Sequence, residues 1–366
     1  MDRRQLLHAL NATGAGAVLP TWDSSRVDAP AIPAMVTLTV RENRAAVEMV
    51  DDAQVFPKIG LVSVGGMGSA CLPRVGHRIR NLPYLDRTIA IDASSLDLSL
   101  ISADHKILVG DGQTLIHSNE AEHLTQSRFF EIARAVAGLE MVLLIAGMAG
   151  NTGAEIAPLV ARMLRHQGIA TLGFAVMPFD GEGSQRQQSA AAGFLEFRRH
   201  SQALIPAFNH DLVHPSEKMN SLSTAALRAP LAVSQLCRSI TNSIARTDLV
   251  GVDFKDIQDV ILSQQGDCAF GFGSASGVNT ATVAAQRAMA DPMLRRYRLK
   301  QASAALVTIE TPPQATMAVL RDAKLAMNLV RSQMPPHSSI FYGVTINPDN
   351  SDKFTVSILA SGIQDA

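Results

Sequence analysis

The stretch MVLLIAGMAGNTGAEIAP, residues 141–158, decides how the rest of the chain is read. Its first half is an unbroken apolar run, the pattern of a strand buried on both faces. Gly147, Gly150 and Gly153 follow at once, and the apolar spacing from Ile156 to Leu164 predicts a helix. A strand that passes through a glycine-rich turn into a helix start gathers backbone N–H groups at one point, an arrangement that holds phosphate. The same turn without a ligand is a tight connection in an α/β sheet, and the stretch alone leaves both readings open. It is not a Walker A loop, because no Gly-Lys-Ser/Thr closes it. Thr152 and Glu155 have the spacing of a helix capping box, in which each side chain satisfies a backbone donor of the first turn.

A second glycine turn lies upstream. KIGLVSV (58–64) predicts a buried strand that leads into GGMGSAC (65–71), and a helix should follow with Pro73 in its first turns. Arg87 to Ile91 reads as the next strand and ends at Asp92. Gly66-x-Gly68 after a strand, with an acid closing the next one, suggests a Rossmann-like dinucleotide site and an oxidoreductase. However, the third glycine of that fingerprint falls at Cys71, and a dinucleotide fold has no use for the turn at Gly147 to Gly153. This reading therefore stands second.

Lys106 to Val109 predicts a short strand, a polar stretch continues to Gln126, and Arg128 to Ala137 predicts a helix. Beyond the organising stretch, Ala170 to Met177 reads as a strand followed by PFDGEGSQR (178–186). There Glu182 and Arg186 are spaced for one helical face; the plain alternative is an exposed ion pair worth at most about 1 kcal/mol. Ala203 to Ala207 is a further strand, leading into Phe208, Asn209, His210 and Asp211. Repeated strand–helix order implies a parallel sheet with helices on both faces, its site beyond the carboxyl ends of the strands.

Composition narrows the functions available. The 366 residues, 47% of them hydrophobic, suffice for one large core or two modest ones. A formal charge of −1 without basic runs speaks against nucleic acid as a partner. Cys71, Cys237 and Cys268 are widely spaced in apolar surroundings, as buried free thiols of a reducing compartment would be. The ten histidines form no metal-ligand spacing, and no apolar run is long enough to span a bilayer.

Residues 1–56 read as an N-terminal extension and linker. MDRRQLLHALNATGAGAVLP carries paired arginines before a mildly apolar stretch, as a twin-arginine export signal does. Leu6, Leu7 and Leu10 also have the spacing of a short interfacial helix, the one route to membrane contact in this chain. A frayed tail is the third reading. Residues 20–35 contain three prolines and read as linker, and Val36 to Val40 alternates weakly, as an edge strand would.

Taken together, these motifs resemble the FtsZ family, the bacterial relatives of tubulin. The resemblance rests on two glycine turns in this order, then PFxxEGxxR, then an asparagine after the next strand. It continues in TDLVGVDFKDI (247–257), GSASGVNTATVAAQRAMADPML (273–294) and TINPDNSDKFTVSILASGI (345–363), and so covers about residues 57–363. It implies an α/β, tubulin/FtsZ-like fold: a Rossmann-like nucleotide-binding domain with a parallel sheet over 57–222, a long central helix over 223–246, and a smaller α+β domain over 247–366. Leu236, Ile240 and Ile244 would share one face of the central helix, with Pro230 tolerated only near its first turn. The second domain would hold helices near Asp256 to Gln264, Val278 to Ala290 and Gln314 to Val330. Its strands would be Ala304 to Ile309, Ser339 to Ile346 and Lys353 to Leu359. The family's linker and terminal partner-binding peptide are not expected in this sequence, which stops three residues after Ile363.

The resemblance also implies a site. The family binds GTP or GDP with Mg²⁺ and hydrolyses GTP where the next subunit's aspartate loop caps the pocket. Asp253 and Asp256 match those catalytic aspartates, although Gly251 replaces the asparagine that opens the loop. Gly65, Gly66 and Gly68 match the first phosphate turn, with Met67 and Ser69 in place of its other glycines. Gly147, Gly150, Asn151, Thr152 and Gly153 match the second, where the family's GGGTGTG reads AGNTGAE. Glu182, Arg186 and Asn209 match ligand contacts. The base contacts are replaced by Ala70, Ala226 and Leu231, and residues 117–123 stand where the family's GAGANP loop would be. Glu155 would set a carboxylate against phosphate. The expected function is that of a divergent GTP-binding protein that assembles head to tail into cytoplasmic filaments of a cytoskeletal or cell-division kind, with weak hydrolysis at subunit interfaces. The alternative is a nucleotide-independent structural paralogue that self-assembles or pairs with a genuine FtsZ.

Overall fold

The structure, a computed structural model, describes residues 57–79, 82, 84–110, 112, 118–209, 222–245, 251–262, 266–313, 317–347 and 353–363. The readings placed on residues 1–56 lie outside them. The first half is built from β1 (Ile59–Val64), α1 (Gly65–Ile79), β2 (Leu85–Asp92), α2 (Ser95–Leu100), β3 (His105–Leu108), α3 (Ser118–Ser127), α4 (Phe129–Val136), β4 (Met141–Gly147), α5 (Asn151–His166), β5 (Ala170–Met177), α6 (Ser184–His200) and β6 (Ala203–Phe208). A long helix, α7 (Leu222–Ala245), comes next. The second half comprises α8 (Phe254–Leu262), β7 (Gly266–Ser276), α9 (Thr280–Met289), α10 (Pro292–Arg295), β8 (Ala304–Thr311), α11 (Met317–Ser332), β9 (Ser339–Ile346) and β10 (Lys353–Ser361).

The strands lie in the order β3-β2-β1-β4-β5-β6-β7-β10-β8-β9. β1 to β6 are parallel, as the apolar runs predict. Their side chains divide between two cores: Ile59, Leu61, Leu143 and Ile145 pack on one face with α1 and α7, while Val62, Val64, Val142 and Leu144 pack on the other with α4 and α5. Alternate residues buried on opposite faces are what makes these strands uniformly apolar. β7 extends the parallel sheet through two pairs only, Ala203 with Gly266 and Leu204 with Asp267. It then runs antiparallel to β10, which pairs antiparallel with β8. A third core lies between this half-sheet and α9 and α11.

α7 faces both halves. Leu236 and Ile240 are buried in the first core, with Ile244 packed against it. Its other contact is polar: Arg238 Nη2 donates to Glu310 Oε2 at 2.9 Å and Gln235 Nε2 to Glu310 Oε1 at 3.2 Å. Asn347 Nδ2 also donates to Glu310 Oε2, at 2.7 Å, so this buried carboxylate is fully held.

Several details correct the sequence reading. α1 starts at Gly65, which leaves Pro73 in mid-helix, and Pro230 likewise sits inside α7, where it is buried. The polar stretch before Gln126 is a helix, α3, tied to α5 by Arg162 Nη2 and Glu122 Oε1 at 2.7 Å. β7 is a strand that the sequence reading did not anticipate. The three cysteines are buried thiols outside any disulfide, and burial pushes those of Cys237 and Cys268 up to about 12. Among the described residues, no helix is long and apolar enough to cross a membrane.

Candidate functional site

Reading outward from β1, the order runs 3-2-1 on one side and 4-5-6 on the other, so the chain changes direction between β1 and β4. Parallel sheets bind ligands beyond the carboxyl ends of the strands at such a point. Both glycine turns are there: β1 leaves directly into α1 and β4 into α5. A cleft of about 340 Å³ opens above them. Among the described residues it is lined by Gly66 and Met67 after β1, Asp92 and Asp97 after β2, and Gly147 and Ala149 to Gly153 after β4. Val176, Phe179 and Glu182 from β5 and Asn209 from β6 complete it.

The two turns fit together because they lack side chains. Gly65 has φ +73°, and a Cβ on it would stand 2.9 Å from Gly153 N. A Cβ on Gly153 would overlap the Gly147 carbonyl oxygen, and one on Gly68 would lie 2.7 Å from Ile145 O. Packing therefore accounts for these glycines without any ligand. It does not account for Gly150, which has an ordinary φ of −104° and nothing within 4 Å of an added Cβ. It accounts little better for Gly66, whose nearest neighbour would be Asp97 Oδ2 at 4.0 Å. Both open onto the cleft.

The helix start in the organising stretch differs from the expected capping box. α5 begins at Asn151 with Gly150 at the cap position, so Thr152 is the second helical residue and its hydroxyl is not placed to cap. Glu155 lies a turn further along and lines a neighbouring groove of about 210 Å³ with Asn151, Gln185 and Arg186 rather than the cleft itself. The expectation that Glu155 faces phosphate in the cleft is corrected accordingly.

The remaining acids are held in different ways. Asp92 is buried; its Oδ1 accepts from Ser94 N at 3.1 Å and its Oδ2 from Ser69 Oγ at 3.2 Å. Burial raises its pKa and the nearby Asp97 charge raises it further, against those donors, which lower it. Glu182 closes a short 3₁₀ turn, accepting from Phe179 N at 2.8 Å and pairing with Arg186 Nη1 at 3.2 Å. Arg186 belongs to α6, so the pair bridges turn and helix, and its exposed guanidinium lies in the neighbouring groove.

The fold thus gathers Gly66, Gly147, Gly150, Asn151, Thr152, Gly153, Glu182 and Asn209 around one cleft. Gly65 and Gly68 lie behind its wall. Ala70 and Leu231 are exposed and do not line it; the side chain of Ala226 and residue His117 lie outside the described residues. Asp253 and Asp256 stand elsewhere. Their loop is fixed to the end of α7, where Val252 N donates to Ser243 O at 3.2 Å. α8 then leads to β7, whose first residue pairs with Ala203 at the start of β6, at the amino ends of the strands and so opposite the cleft. Asp256 Oδ2 accepts from Asp253 N at 2.9 Å, one arm of a helix cap. Asp97 is the lining residue that the sequence reading passed over; the Ser94-x-x-Asp97 helix start after β2 was the signal for it.

The comparisons with known proteins match this architecture in two consecutive parts. A model of the Tubulin/FtsZ family, GTPase domain, matches residues 58–216, and one of the FtsZ family, C-terminal domain, matches residues 266–364. This chain belongs to the tubulin/FtsZ superfamily. The family displaces the oxidoreductase reading, although the strand order alone is also that of a dinucleotide-binding fold. The cell division protein FtsZ of Caulobacter vibrioides is 28% identical over 322 residues, 86% of this chain and 61% of the relative, so the chain spans about three fifths of that relative's length. Among solved structures, an FtsZ dimer of M. jannaschii superposes with a TM-score of 0.76 at 26% identity, covering 84% of this chain and 88% of that one. CetZ2 from Haloferax volcanii, a GTPγS-bound protofilament, reaches 0.69 at 19% identity over 84% and 93% of the two chains, a likeness of fold.

Proposed function

We propose that this protein is a divergent FtsZ-like GTP-binding protein that assembles head to tail into filaments, in the cytoplasm, for a cytoskeletal or cell-division role. The observation that carries this reading is the cleft itself. Eight residues from sequence motifs far apart in the chain meet at the switch point of the sheet, five of them (Gly66, Gly150, Asn151, Thr152 and Gly153) at the starts of two helices whose N–H groups suit phosphate. Gly150 supports the ligand reading, since neither its backbone angle nor its neighbours require a glycine. The nucleotide-binding part would be residues 57–222, joined by the helix over 223–246 to the part over 247–366.

Hydrolysis, in this reading, needs two copies. Asp253 and Asp256 lie outside their own chain's cleft, so they reach a nucleotide only in a neighbouring subunit, where a carboxylate orients the attacking water. Contacts between unlike surfaces repeat without closing and give open filaments. The hard oxygen donors of the cleft, Asp97, Asn151 and Thr152, fit Mg²⁺, which would spread the charge of the transferred phosphoryl group. A second reading, a paralogue that works without nucleotide or pairs with a genuine FtsZ, is favoured by the exposed positions of Ala70 and Leu231 away from the cleft and by the carboxylates within it. Sedimentation velocity of the full chain with GTP and Mg²⁺ separates the two. Nucleotide-dependent growth of large species supports the proposal, assembly indifferent to nucleotide supports the second reading, and monomers throughout contradict both.

A further inference from the structure

Asn209 lines the cleft with little support of its own. It follows Met177 with Phe208, the last pair of the β5–β6 ladder. The residue is only 7% exposed, and its side-chain amide makes no hydrogen bond among the described residues. An amide buried to that degree has donors and an acceptor that a partner should fill. What fixes it is the residue before it. Phe208 packs against the second core, and the guanidinium of Arg296 lies over its ring, 3.8 Å from the centroid. A cation in that position is attracted by the ring's negative face. Arg296 does not line the cleft; it follows α10 in the other half of the chain, where it is firmly placed. Asp291 Oδ1 accepts from Met293 N at 2.9 Å at the start of α10, and Leu294 and Tyr297 are buried in the third core.

We infer that Arg296 is a positioning residue for the nucleoside end of the ligand: by clamping Phe208 it fixes Asn209, whose amide meets a hydrogen-bonding edge of the nucleoside. The inference rests on the nucleotide reading given above and adds to it a residue from outside the cleft. β6 lies two strands from β4, about 10 Å away. A nucleotide whose phosphates rest at the glycine turn after β4 therefore presents its other end to Asn209. A side chain already held in its binding position loses less freedom when the ligand arrives, so the stack strengthens binding without touching the ligand. Its contribution cannot exceed the worth of the stack, which makes the effect several-fold and not larger.

The test is titration calorimetry of GTP with Mg²⁺ into the full-length protein, with a melting curve for each variant. Arg296→Gln removes the charge and keeps most of the stem, Phe208→Leu removes the ring, and Asn209→Ala removes the amide. Arg295→Gln, exposed and one residue earlier, controls for net charge. Arg296→Gln and Phe208→Leu should each weaken binding about threefold to tenfold. The double variant should lose no more than either alone, and Asn209→Ala should lose at least as much. Arg296→Gln in the Asn209→Ala background should add nothing, which keeps the test decisive where Phe208→Leu does not fold. Arg296→Lys, which retains a cation, should recover part of the affinity, and Arg295→Gln should match wild type. Losses that multiply in either double variant overturn the inference and leave the nucleotide reading intact. So does wild-type affinity in Arg296→Gln, whatever its melting temperature, or in Asn209→Ala. No binding by wild type overturns both.

Discussion

Replacing Gly150 and Gly153 separately, each by alanine, sets ligand and packing explanations of the organising turn against each other. At Gly153 the new methyl overlaps the carbonyl oxygen of Gly147 and crowds the backbone at the end of β4, where no flexible side chain can move aside. Overpacking of this kind costs about 1–3 kcal/mol or more, and contact with rigid backbone points to the upper part of that range. At Gly150 the methyl meets nothing within 4 Å and the φ of −104° is ordinary for alanine. Losing the extra freedom of glycine in the unfolded chain should then stabilise the fold by about 0.4–1 kcal/mol. The same methyl projects into the cleft at the start of α5, where phosphate would rest against the N–H groups. Displacing a ligand there should lower affinity about tenfold or more, or roughly 1.4 kcal/mol and upward. Urea unfolding reports the first effect and nucleotide titration the second. Gly150→Ala should be as stable as wild type or more so while binding worse, and Gly153→Ala should be destabilised outright. A Gly150→Ala protein that binds nucleotide as well as wild type would refute the assignment of this turn to phosphate.

Other outcomes follow from other parts of the molecule. Burial holds Asp291, the cap of α10, up to about 6, against the pull of backbone donors and of Arg228 and Arg295. The folded protein therefore binds this proton more tightly than the unfolded chain, and stability should fall as pH rises from about 4 to about 6, by at most about 3 kcal/mol. Asp291→Asn should flatten that part of the pH–stability curve, and an unchanged slope would count against it. Glu310→Ala leaves Arg238 beneath the sheet without its carboxylate and should cost about 3 kcal/mol or more, seen as a lower urea midpoint at unchanged slope. Asp253→Ala should leave nucleotide affinity of the monomer unchanged and abolish turnover in assemblies; loss of binding instead would place this residue in its own chain's cleft.

Most of the first half was legible because strands buried on both faces declare themselves as apolar runs, and the bounds of β5 agree with the reading residue for residue; those of β9, a partly exposed strand of the second half, agree with what the family resemblance implies. Elements whose stability comes from their neighbours were harder to see. β7 carries Gly271 and Gly273 because the backbone of α9 presses on it there, and those glycines hide its strand pattern. α3 is almost wholly polar and is tied in place by Arg162 rather than by an apolar stripe. α5 starts earlier than its apolar spacing from Ile156 predicts, and its first turn hides this because asparagine, threonine and glycine have weak helix propensity. That shift moved the cap to Gly150 and carried Glu155 out of the cleft. Within the site, the glycine turns, Glu182 and Asn209 follow from motifs, whereas the Ser94-x-x-Asp97 helix start marks Asp97 only as part of a cap, and its place in the cleft comes from the fold.

The central claim is that the cleft between the two glycine turns is a working nucleotide site, and equilibrium dialysis of labelled GTP against the full chain in Mg²⁺ tests it most directly. Saturable binding at one site per chain, displaced by unlabelled GDP and weakened by Gly150→Ala, is the predicted result. Absence of saturable binding at millimolar GTP, in protein that melts cooperatively, would contradict it.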